Sequence, residues 1–64
     1  MPDPASRQRV AYALDQTVAA LVRGHSLSWL PSLLPTQDDR ELFRDLIHRQ
    51  GLSSEQIGDA LEAI

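Results

Sequence analysis

Residues 3–24 read DPASRQRVAYALDQTVAALVRG, and this stretch decides the fold. Asp3 before Pro4 is a helix start, a capping acid followed by proline at the first helical position. Val10, Leu14, Val18 and Leu21 then recur at spacings of four and three, with Ala13, Thr17 and Ala20 beside them. Arg7, Arg9, Asp15, Gln16 and Arg23 fall largely off that stripe. The pattern predicts an amphipathic helix over about residues 4–23 with a narrow seam of small residues. Gly24 stands where a left-handed closing residue belongs.

Working outward, HSLSWLPSLLP at 25–35 is punctuated by Pro31 and Pro35 and has room for one short helix or turn, about 28–34, with Ser28 as its cap. Thr36 then caps a third helix over about 37–50. Asp39 stands three residues on, as a short-armed capping box, and Asp38, Asp39 and Glu41 crowd the positive end of the dipole. Leu42, Phe43, Leu46 and Ile47 give its apolar face, and Gly51 follows it. Ser53 and Gln56 form a capping box for a fourth helix over about 54–63. Leu52 and Ile57 stand at the staple positions, and Ile57, Ala60, Leu61 and Ile64 form its apolar face. No alternating run or Asn-Gly turn suggests a strand. The expectation is one all-α domain over residues 1–64, a compact bundle of three main helices and one short one.

Size narrows the function classes. A chain of 64 residues buries only about 60% of its unfolded surface, which leaves little room for a catalytic cavity and its supporting shells. No serine or threonine lies in a nucleophile elbow, and there is no glycine-rich phosphate loop. There is no cysteine. His25 and His48 stand far apart, short of the three or four clustered ligands that zinc needs. No apolar run approaches the roughly 20 residues of a membrane helix, and no signal peptide is evident. The expectation is a cytoplasmic, non-catalytic protein with no metal and no cofactor.

Two surfaces could carry binding. The first is acidic. Asp38, Glu41 and Asp45 lie at i, i+3, i+7 on the third helix, and Glu55, Asp59 and Glu62 at i, i+4, i+7 on the fourth. Such neighbours stand about 5–6 Å apart at their Cβ atoms. The charge is lopsided: residues 1–35 hold three bases and two acids, net +1, and residues 36–64 hold three bases and seven acids, net −4. An acidic half on a small protein suits the basic groove of a nucleic-acid-processing protein. The plainer reading is a solvated face, with Arg44 pairing Glu41 and Arg49 pairing Asp45. The second surface is apolar: Leu27, Trp29, Leu30, Leu33 and Leu34 put five large side chains into eight residues. Exposed anchors of this kind make interfaces, whereas in a mini-protein Trp29 can simply plug the core.

Residues 42–61 carry a resemblance. Gly51-Leu-Ser-Ser-Glu-Gln-Ile-Gly-Asp-Ala-Leu61 resembles the first motif helix in lambda-repressor-like helix-turn-helix domains. That resemblance implies a DNA-binding regulator, but the recognition helix that should follow has no counterpart within residues 1–64. In the other frame, helices 37–50 and 54–63 would be the motif pair, and the second then carries Glu55, Asp59 and Glu62 and no base, which phosphates repel. Direct nucleic-acid binding is therefore not expected. In size and charge the chain is similar to small phage- and plasmid-encoded inhibitors of the anti-CRISPR and anti-restriction kind, which share no common motif. The leading expectation is an inhibitor or regulator that docks on a partner protein through the six acids, through the Trp29, Leu30 and Leu33 patch, or through both, in mimicry of nucleic acid. The alternatives are a truncated helix-turn-helix regulator, or a homodimerisation module that pairs segment 26–35 and the first-helix seam with a second copy.

Overall fold

The computed structural model describes residues 3–64. It is all-α, in the order α1 (Pro4–Arg23), α2 (Leu30–Leu33), α3 (Gln37–Leu46), a 3-10 turn (Ile47–Arg49) and α4 (Ser54–Ala63). α1 packs mainly on α3 and also on α2, and α4 packs on the 3-10 turn. The core cluster draws Val10, Ala13 and Leu14 from α1, Leu30 and Leu34 from in and beside α2, Phe43 and Ile47 from the α3 arm, and Ala60 from α4.

The caps explain most boundaries. The Asp3 side chain accepts from the Ser6 N–H at 2.7 Å. Gly24, at φ 72°, closes α1 with N–H bonds back to Ala20 and Leu21, a conformation that favours glycine. At α4 the box closes both ways: Ser53 Oγ accepts from the Gln56 N–H, and Gln56 Oε1 accepts from the Ser53 N–H.

Three expectations are corrected. The third helix does not continue as α-helix to residue 50; it tightens at Ile47–Arg49. Ile47 is fully buried there and Gln50 Nε2 donates to the Leu46 carbonyl, one of the acceptors a helix end leaves free. The short helix is only Leu30–Leu33, and Ser28 does not cap it. The Ser28 N–H instead donates to Ser26 Oγ, and a Leu27–Leu30 turn brings the chain in. The buried stripe of α1 is also turned from Val18 and Leu21 toward Ala13, Thr17 and Ala20. Small side chains let neighbouring elements approach that backbone closely, and Phe43, Leu30 and Leu34 fill the space between. Of the large seam residues, Val10 and Leu14 are thus buried in the chain's own core, and Val18 and Leu21 are half-buried.

Thr17 leaves one polar loose end. It is fully buried, and its Oγ1 has no hydrogen-bond partner. An orphaned buried hydroxyl costs about 1–3 kcal/mol, and an apolar group of the same shape removes that cost. Thr17→Val is expected to stabilise the fold by about 1 kcal/mol, raising Tm by roughly 4–8 °C for a domain of this size. A lower Tm in a calorimetric scan would contradict this.

Candidate partner-binding surface

Asp39 is the residue whose role the sequence conceals. Thr36 Oγ1 accepts from the Asp39 N–H at 3.1 Å, so the cap itself forms. The Asp39 carboxylate does not join the acids of the first turn in solvent. It is fully buried and accepts from Ser6 Oγ, from Arg9 Nε at 2.7 Å and from Arg9 Nη2 at 3.1 Å. Arg9, by hydrogen-bonding to it, holds the carboxyl well below the usual carboxylate range. Burial opposes this, and the Ser6 and Thr36 hydroxyls and the Arg9 charge add to it. The group also stands in the first turn of α3, where the dipole favours an anion. The forked guanidinium is the donor such a geometry needs.

This contact sorts the charges. Among the described residues, Arg9–Asp39 is the only ion pair. The pairs expected for Arg44 with Glu41 and Arg49 with Asp45 do not form. Arg40 is turned back, its Nε donating to the Leu34 carbonyl at 3.0 Å. Asp38, Glu41 and Asp45 on α3 and Glu55, Asp59 and Glu62 on α4 are all exposed. Of the six, Glu41 alone has a side-chain neighbour bonded to it, Gln37 Nε2 at 3.4 Å. Each stripe runs along its own helix, with the 3-10 turn and the Gly51 bend between them.

The apolar candidate divides. Leu30 is fully buried with Leu34, so it belongs to the core and not to the surface. Trp29 and Leu33 are half-buried against that core. Trp29 Nε1 donates to the Ser26 carbonyl at 2.7 Å, which satisfies the indole and fixes the ring. The large apolar side chains that do stand in solvent are Tyr12, 57% exposed, and Val22, 74% exposed, both on α1. Their positions off the α1 seam were the sequence signal for this. His25, in the loop after α1, and His48, in the 3-10 turn, are both exposed. No helix among the described residues is long and apolar enough to cross a membrane.

No protein-family model, no curated protein and no solved structure matches the chain. The surface chemistry alone therefore bears on function.

Proposed function

We propose that the chain is a non-catalytic binding protein whose acidic α3 and α4 stripes dock on a basic surface of a partner protein, one that handles nucleic acid. The observation that supports this is the unbalanced charge. Six carboxylates face solvent in two helical rows with no ion-pair partner, while Arg9 and Arg40 are committed to internal contacts. Rows of carboxylates at helical spacing offer a basic groove a ladder of negative charge of the kind a phosphate strand offers. Trp29 and Leu33, half-exposed, supply an apolar anchor. Competition with DNA or RNA for such a groove gives an inhibitor or regulator.

Capture from nuclease-treated lysate tests the reading. The triple reversal Asp38→Lys, Glu41→Lys and Asp45→Lys is expected to leave helicity unchanged, since all three are exposed. It should weaken capture by at least about tenfold, and added salt should weaken the unaltered protein's capture in parallel. Capture indifferent to both overturns the acidic docking surface. The alternative, a helix-turn-helix DNA-binding regulator, predicts a duplex mobility shift at about 50 mM salt.

A further inference from the structure

α4 is the least anchored of the long helices. α1 buries Val10, Ala13, Leu14, Thr17 and Ala20 along its length. α4 buries one residue, Ala60, whose side chain is a single methyl. Its larger apolar residues, Ile57, Leu61 and Ile64, touch the core but are only partly covered. Its main packing is on the 3-10 turn rather than on α1 or α3.

The polar contacts divide in the same way. Ser6 and Arg9 tie α1 to α3 through Asp39, and Arg40 ties α3 to the Leu34 carbonyl. The side-chain hydrogen bonds of α4 stay inside its own capping box. Among the described residues, no side-chain hydrogen bond or ion pair joins α4 to the rest of the chain. Two glycines weaken the attachment further. Gly58 stands in mid-helix, and a Cβ there would meet nothing within 4 Å, so no packing contact requires glycine. It disfavours the helix about fivefold relative to alanine. Gly51, at φ 73°, makes the left-handed turn that leads to α4, and glycine regains the most backbone freedom when such a turn opens.

We propose that α4 undocks and melts by itself, hinged at Gly51, while α1, α2 and α3 stay folded. A helix of 10 residues is marginal in water without packing, so leaving the core and losing the helix are one event. The remaining bundle keeps what holds it together. The largest fully buried apolar side chains, Phe43, Leu30, Leu34, Ile47 and Val10, all precede the hinge, as does the Asp39 contact. Elements with few buried apolar contacts open at a lower free energy than the whole domain. The consequence is a switch in the acidic surface. Glu55, Asp59 and Glu62 form a row only while α4 is helical, so order and disorder in α4 make and erase that row. Any use of the switch in docking rests on the function proposed above, whereas the arm itself is read in the free protein.

Amide hydrogen exchange of the full chain, followed by NMR at low urea concentrations, tests it. The N–H groups of residues 57–61 are expected to share one opening equilibrium at least about tenfold more favourable than that of the buried stretches of α1 and α3. Its urea slope should be above zero, unlike that of fraying, and below that of global unfolding. Gly58→Ala should slow exchange in α4 about fivefold. Asp39→Ala should speed exchange in α1 and α3 about tenfold and leave α4 unchanged, because the Asp39 contact persists when α4 melts. Ser6→Ala is the milder variant should Asp39→Ala fail to fold. One opening equilibrium common to all helices overturns the proposal, as does a zero urea slope in α4 or a Gly58→Ala variant without effect there. So does Asp39→Ala or Ser6→Ala speeding α4 as much as α1. Partner capture is measured separately, so failure of the docking reading leaves this result standing.

Discussion

Phe43→Ala is expected to leave the chain largely unfolded at 25 °C. Phe43 is the single phenylalanine and is fully buried in the cluster where α1, α2 and α3 meet. Truncating such a ring costs about 3–5 kcal/mol, the lost transfer energy plus the cavity left behind. A core of this size supplies roughly 3–5 kcal/mol in all. The loss therefore matches the whole stability rather than a fraction of it. Far-UV circular dichroism through a urea series measures this. A cooperative transition shifted by less than about 1 kcal/mol would mean that the cluster does not depend on Phe43. Phe43→Leu, which keeps most of the volume, should retain a folded baseline with a reduced midpoint.

Asp39→Ala should also destabilise the fold, by different physics. It removes the acceptor for Ser6 and for both arms of Arg9. Asp39 is enclosed but the Arg9 side chain is 39% exposed, so the loss leaves Arg9 hydrated and Ser6 without its acceptor, a cost of about 1–3 kcal/mol. Asp38→Ala, one residue away and exposed, is the control and should change stability by less than about 0.5 kcal/mol. The two substitutions look alike in the sequence, so their contrast isolates burial as the cause. Acid titration gives a second reading of the same contact. The folded Asp39 carboxyl lies below its ordinary value of about 3.9, so the unfolded chain takes up the proton first as pH falls. The stabilisation is complete above about pH 5 and is lost as pH drops through the ordinary carboxylate range toward the lower folded value. Asp39→Asn should flatten that acid limb in Tm-against-pH curves. An unchanged limb would place the sensitivity elsewhere.

Local signals made the helices readable. Asp3-Pro4, Gly24, Thr36, Ser53 and Gln56 are caps whose bonds close within three or four residues, so spacing alone locates them. The exposure of the six acids was legible for the same reason, since each lies opposite its helix's apolar face. What spacing could not reveal was anything set by contacts between elements. Asp38 and Asp39 are chemically identical neighbours. Only the approach of α1, 30 residues earlier in the chain, decides that one is enclosed and the other solvated. The turn of the α1 stripe toward Ala13, Thr17 and Ala20 is likewise set by what α2 and α3 place against it, not by the spacing of large residues along α1. Leu30 and Trp29 sit side by side in one apolar run, and the single turn of α2 sends the first wholly inside and leaves the second at the margin.

The placement of the two aromatic rings that absorb above 275 nm has a practical side. The chain has one tryptophan and one tyrosine. Trp29 leans on the core with its indole N–H tied to the Ser26 carbonyl, while Tyr12 stands in solvent on the far side of α1. The molecule thus carries two intrinsic optical gauges at separate addresses. Indole emission registers whether the α2 segment is seated, and phenol emission registers whether anything has settled on the outer wall of α1. Unfolding and association can be followed in one cuvette without a dye.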